Sequence, residues 1–232
     1  MTTLTPTKEN GATTKGTEVI YTEPGRRMTE EMLPPLLVGS GLNAEFVTDL
    51  LSAVLTHERC GTHLYRTVAE RTNNPMLKNQ YVEFGRETER HAALCEQLVT
   101  TLGGNPNYVS PMARAVQGMD TKLLESTFLT SGGLDLMTQE TAMLDAVIIA
   151  ETVDHGHWEL MEKMRDGLPE GELREAFSVA VDEVGPEEDE HLLWAKTTKE
   201  RMVMMQATSS TMASMGMKAE EMVATIKGWF SD

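Results

Sequence analysis

The chain has 232 residues and carries 20 Lys and Arg against 36 Asp and Glu, a net charge of −16. That length fits one domain plus tails, and the acidic balance repels nucleic acid while attracting cations. Two cysteines, Cys60 and Cys95, are too few for a disulfide framework or a four-cysteine iron site, and no apolar run of about eighteen residues offers a membrane span.

Residues 1–26 are rich in Thr, Lys, Glu and Gly and poor in apolar side chains, which predicts a disordered leader. The leader lacks a signal-peptide core, so the expected location is the cytoplasm. Residues 27–42 form a short lead-in containing Pro34 and Pro35. Asn43 is placed to cap a first helix, and Asn74 with Pro75 stops that helix and starts a second. Gly103, Gly104 and Pro106 end the second helix. The chain to Gly133 then crosses from one helical hairpin to the next, with a short helix over Pro111–Phe128 on the way. A third long helix is expected from Leu136 to Asp166, and Gly167 with Pro169 turns it into a fourth. The expected architecture is therefore all-α, a four-helix bundle over residues 43–206 made of two hairpins and a long crossover.

Each long helix carries charged groups on the stripe that apolar residues otherwise occupy. The first stripe reads Val47, Leu51, Val54, Glu58, Gly61 and Tyr65, and the second Tyr81, Phe84, Glu87, His91, Leu94 and Leu98. The third reads Leu144, Ile148, Glu151, His155 and Trp158, and the fourth Phe177, Val181, Val184, Glu188, His191 and Ala195. Glu58, Glu87, His91, Glu151, Glu188 and His191 would thus converge on one core layer. Burying unpaired carboxylates costs several kcal/mol each, and Lys and Arg are absent from these stripes, so the charge calls for metal ions. On the second helix the residue three before His91 is Thr88, not an acid. Spacings of three and four return to nearly the same face, so Glu87 is the expected ligand, with Glu89 or Glu83 as the fallback.

The segments HERCGTHLYR around Glu58, ETERH around His91, AETVDHGHW around Glu151 and EEDEH around His191 resemble the ferritin-like superfamily. That group includes rubrerythrins, bacterioferritins and single-domain relatives. The resemblance spans residues 43–206 and implies two iron ions, or manganese in their place, bridged by carboxylates and reacting with dioxygen or peroxide. It implies a ferroxidase, a peroxidase or a small-molecule oxidase served by a separate reductant or substrate. The alternatives are a dimanganese catalase of the same fold, and a metal-free helical interaction module.

Other features carry two readings. Tyr65 and Trp158 each lie seven residues after a candidate ligand, Glu58 and Glu151, as a weak internal repeat. They are either aromatic plugs or groups relaying hydrogen bonds or electrons at the site. His155 and Cys95, one turn from Glu151 and His91, are candidates for the surroundings of the metal ions or for plain core. His63 and His157 lie off the stripes. Gly185 and Pro186 should bend or restart the fourth helix, as a device to shape the ligands or open a path, or as a tolerated kink. Residues 207–232 are a Met-rich linker and an amphipathic tail helix with Met222, Val223, Ile226, Trp229 and Phe230 on one face. That tail suits subunit assembly or a protein partner, a homo-oligomer being expected, while its thioethers also admit a copper reading.

Overall fold

The computed structural model describes residues 3–7, 11–15, 32–129 and 136–208. Five helices dominate it: α1 (Ala44–Arg71), α2 (Pro75–Thr101), α3 (Pro111–Leu129), α4 (Leu136–Gly167) and α5 (Glu172–Thr208). Strands β1 (Thr3–Thr7) and β2 (Gly11–Lys15) pair antiparallel, with Thr3 opposite Lys15 and Thr7 opposite Gly11. This hairpin stands where composition predicts a disordered leader. Five of its ten strand residues are threonine, whose branched Cβ favours extended backbone. The rest of the leader lies outside the described residues.

The expected caps form. Asn43 Oδ1 accepts the Phe46 N–H at 3.1 Å to open α1. Asn74 Oδ1 accepts the N–H groups of Met76 and Leu77 at 2.9 and 3.3 Å, with Pro75 in the first turn, where its missing N–H costs nothing. The three residues between α1 and α2 fold the second helix back along the first. Their turn is pinned by Glu140 of α4, which accepts the Thr72 hydroxyl at 2.8 Å and the Asn73 N–H at 2.9 Å. Glu140 is 1% exposed, so α4 is locked to the α1–α2 turn by a buried but satisfied carboxylate.

The helix α3 runs over the crossover and packs against α1 and α4, while α5 packs on α4 and α2. At the other end the lead-in lies on α2, with the Leu36 N–H donating to the Leu102 carbonyl and Leu37 fully buried. The core divides into two apolar clusters. One gathers Leu51, Val54, Leu98, Trp158, Phe177 and Val184, the other Tyr65, Val68, Tyr81, Phe84, Leu144 and Ala195. Each long helix crosses both clusters, and the segment between them is polar. No helix among the described residues is long and apolar enough to cross a membrane.

Pro186 sits inside α5, which runs through it without a restart. The tail from residue 209 onward lies outside the described residues. Met202 is fully buried in the second cluster, a packing role that a flexible thioether fills well.

Gly103 ends α2 with φ +83°, and a Cβ there would stand 2.7 Å from Pro35 Cδ. Gly118, inside α3, has open space around it. Gly103→Ala should therefore lower stability by about 1–3 kcal/mol through strain and collision, whereas Gly118→Ala should raise it by about 0.5–1 kcal/mol. Urea unfolding of both variants checks the pair.

Candidate metal centre

The polar layer between the two clusters is built from one residue or one pair on each long helix. Glu58 (α1), His91 (α2), Glu151 (α4), and Glu188 with His191 (α5) are at most 4% exposed. Glu58, His91 and Glu188 form one group and Glu151, Glu188 and His191 another, with the ligand atoms in each within 4.8 Å of one another. Glu188 belongs to both. It comes three residues before His191, so the two share the inner face of α5.

Every one of these side chains except Glu188 is held from outside by one atom and presents another inward. The Trp158 indole N–H donates to Glu58 Oε1 at 2.7 Å, and the Tyr65 hydroxyl donates to Glu151 Oε1 at 2.7 Å. His91 Nε2 lies 2.7 Å from Glu187 Oε2, and His191 Nε2 lies 2.8 Å from Glu87 Oε2. The inward atoms are Glu58 Oε2, Glu151 Oε2, both Glu188 oxygens and the two histidine Nδ1 atoms. None of these buried atoms has a hydrogen-bond partner among the described residues. His91 Nδ1 comes within 2.8 Å of Glu188 Oε1, but without the alignment a hydrogen bond needs. Distances of 3.5 and 3.7 Å separate His191 Nδ1 from Glu151 Oε2 and Glu188 Oε1. This layer is thus the reverse of Glu140, whose burial is offset by donors.

The partners are exchanged between the two halves of the chain. The α1 residue Tyr65 serves Glu151 of α4, and Trp158 of α4 serves Glu58 of α1. Likewise Glu87 of α2 holds His191 of α5, while Glu187 of α5 holds His91 of α2. The α2 and α5 pairs stand at the same spacing, with 187 − 87 = 100 and 191 − 91 = 100. The two hairpins are thus related by an approximate twofold relation running through the layer. Among its departures, α5 supplies Glu188 where α2 supplies Thr88, and α4 supplies Asp154 where α1 supplies Gly61.

Glu87 therefore stands outside both ligand groups. It is 26% exposed and takes the outer nitrogen of His191. Thr88, 3% exposed, holds the inward place and gives its hydroxyl to the Phe84 carbonyl at 2.9 Å. It packs against Gly61, where a Cβ would meet Thr88 Cγ2 at 3.1 Å. The inner face of α2 is turned one residue from the expected stripe, with Thr88 and Cys95 in place of Glu87 and Leu94. A one-residue turn in the opposite sense occurs on α4, where Val147 and Asp154 are buried in place of Ile148 and His155.

Sequence reasoning passes over Asp154, Glu187 and a second polar group reaching toward α3. There His57, 3% exposed, has Nδ1 2.9 Å from Asp120 Oδ2 and Nε2 3.0 Å from the Ala150 carbonyl oxygen. A signal for Glu187 was present in the hundred-residue repeat, whereas His57 and Asp120, 63 positions apart, carry none. His155 is 30% exposed and lies 3.1 Å from Asp189, away from the ligand atoms. Cys95 is fully buried in the first cluster, with its thiol 3.9 Å from the Leu51 carbonyl. Of the other two histidines, His63 is exposed and His157 half-buried.

Burial, and next the negative charge of Asp154, push Glu58 and Glu188 well above the usual carboxylate range. Burial also pushes Asp154 up to about 7, against the pull of His57. For His57 burial opposes protonation, but Asp120 and Asp154 outweigh it and raise the imidazole to about 9. Burial lowers His91, and lowers His157 to about 4.

Between pH 6.5 and 9 these shifts act in one direction. An unfolded carboxylate has already lost its proton there and an unfolded imidazole is losing it, while folded Asp154 holds its proton up to about 7, His57 up to about 9, and Glu58 and Glu188 sit well above the usual carboxylate range. Stability of the metal-free chain should fall as pH rises through this window, by about 1.4 kcal/mol per pH unit for each proton retained. Below pH 6.5 the lowered His91 and His157 act in the opposite sense. Thermal melts from pH 6.5 to 9 in a chelator check the slope, and a rising Tm would contradict it. Glu87→Gln and Glu187→Gln, which spare the inward atoms, should each weaken divalent-metal affinity about 10- to 100-fold, read by competition with a chromophoric chelator.

Compared with known proteins, the chain matches no family model, no curated protein and no solved structure.

Proposed function

We propose that the chain is a ferritin-like four-helix bundle holding two metal ions, and that it works as a non-haem di-iron oxidoreductase on dioxygen or peroxide. The observation that carries this reading is the set of six buried, inward-facing oxygen and nitrogen atoms without partners, in two groups that share Glu188. No well-aligned hydrogen bond reaches these atoms among the described residues, and a mixed carboxylate and imidazole donor set fits iron or manganese.

In this reading Glu58 and His91 would hold one ion and Glu151 and His191 the other, with Glu188, common to both groups, available to either. A bound pair of iron ions supplies the electrons that reduce dioxygen or peroxide. The chain's own residues fix the geometry and the charge. Glu87 and Glu187 orient the imidazoles with Nδ1 inward and raise their basicity, and Tyr65 and Trp158 stop the two carboxylates from rotating. The apolar clusters on either side keep bulk water out of the layer. Three carboxylates leave two divalent ions with one surplus positive charge, because Thr88 replaces the fourth. That surplus would favour an anionic species at the site over a cationic one. Ferrous iron as the reductant would make the protein a ferroxidase.

Elemental analysis after anaerobic loading with ferrous iron, followed by oxygen uptake, tests the reading. The intact chain should hold about two irons and then consume oxygen, while Glu151→Ala and His191→Ala should each lose at least one iron. His63→Ala, at an exposed position, should keep both. Full iron content in both ligand variants, or no stoichiometric iron in the intact chain, would overturn the assignment, and selective retention of manganese would move it to a dimanganese enzyme.

A further inference from the structure

We propose that divalent cations reach this centre through a cleft between α4 and α5, opened by Gly185 and Pro186. The inference rests on the dinuclear reading above. The cleft has a volume of about 360 Å³, and its inner wall is formed by Glu188 and Trp158. Glu188 is 1% exposed, has no hydrogen-bond partner on either oxygen, and belongs to both ligand groups. The cleft therefore ends on the carboxylate that a cation would meet first.

Its mouth is acidic. Glu159, Glu162, Asp182 and Asp189 line it, with His155 as the only basic side chain in the lining. From outside the lining Lys163 approaches Glu159 at 3.6 Å, and Arg165 pairs with Glu162 and Asp182. His155 is shared between Glu159 and Asp189, at 3.7 and 3.1 Å. The acids outnumber these cations, so the mouth retains negative charge. Pro186 has no N–H to offer the carbonyl of Asp182 one turn earlier, and Asp182 lines the cleft. Hard oxygen donors leading to a buried carboxylate suit a divalent cation and disfavour an anion or an apolar molecule.

The other half of the molecule shows why the opening lies on one side. Gly85 corresponds to Gly185 under the hundred-residue relation, and a Cβ on Gly85 would meet Tyr65 Cβ at 3.2 Å. A Cβ on Gly185 would meet nothing within 4 Å. The α2 side is plugged by the tyrosine that holds Glu151, and the α5 side is open. A larger side chain at 185 would start in open space and extend into the cleft.

Cobalt(II) uptake by the full chain, followed by its visible absorbance after rapid mixing, tests the route. Gly185→Leu should slow uptake on the order of tenfold while reaching the same final cobalt content, and Gly118→Leu, in open space on α3, should match the unaltered chain. The double substitution Glu159→Gln with Asp189→Asn adds no bulk, and it should slow uptake at low salt and flatten its dependence on ionic strength. Unchanged rates in Gly185→Leu, or an unchanged salt dependence in the double variant, at full cobalt content would overturn the route and leave the centre standing. Absence of cobalt from the unaltered chain would overturn the centre and the route together.

Discussion

Three carboxylates buried in one layer, with inward oxygens facing each other and two imidazole nitrogens, set the terms for the rest of the molecule. Each such group forfeits its hydration, and burial with neighbouring negative charge holds Glu58 and Glu188 well above the usual carboxylate range. The cost is held locally by longer-range order. Above and below the layer stand two apolar clusters that tie all four long helices together, so the polar atoms cannot separate without opening the core. Glu140 shows the ordinary solution to the same problem, a buried carboxylate satisfied by a hydroxyl and a backbone amide. The layer does not use that solution, although donors such as the Tyr65 hydroxyl and the Trp158 indole lie beside it. Those donors are spent on the outer oxygens, leaving the inner ones free for cations.

Exchange of partners between hairpins gives the layer its rigidity. Because Tyr65 serves the opposite Glu151 and Trp158 the opposite Glu58, neither carboxylate can turn without disturbing a helix from the other half. The same holds for the histidines and their glutamates on α2 and α5. Departures from this twofold relation fall where chemistry benefits from inequality. Thr88 faces Gly61 in a closely packed contact, whereas Glu188, its counterpart, feels the negative charge of Asp154, which is the counterpart of Gly61. One side is therefore neutral and filled, and the other is acidic and borders the cleft at Gly185 and Pro186. In the proposed enzyme this asymmetry would let cations approach from one direction while the far side stays closed to water.

Most of the element boundaries were legible in the sequence because they rest on local chemistry. Asn43, Asn74 with Pro75, Gly103 and Gly167 act on backbone groups within one turn of themselves, and the helices begin and end at them. Five of the six expected ligands gather in the layer for the same reason, since an apolar stripe interrupted by Glu or His is visible without knowing what packs against it. The pairing of residues 3–7 with 11–15 was not legible, because a composition poor in apolar residues does not reveal a ladder of backbone hydrogen bonds between threonine-rich segments. Pro186 in α5 also reads differently in context. A missing N–H that would end an isolated helix is tolerated inside α5, which is anchored on both sides by buried Val184, Glu188 and His191.

What the sequence by itself determined is the helical class, the caps and the approximate azimuth of each charged residue, all of which follow from spacing along one chain. Rotation of each helix about its axis was decided only by the tertiary structure. A spacing of three and one of four differ by a single residue, so the stripe alone does not choose between Glu87 and Thr88 on α2, or between His155 and Asp154 on α4. Packing against Gly61 turns Thr88 inward and leaves Glu87 to hold His191 from outside. Roles that depend on a partner from another helix, such as those of Glu187, Tyr65, Trp158 and the His57–Asp120 pair, likewise exist only once the helices have met, because the donor and the acceptor are joined through space and not through the chain.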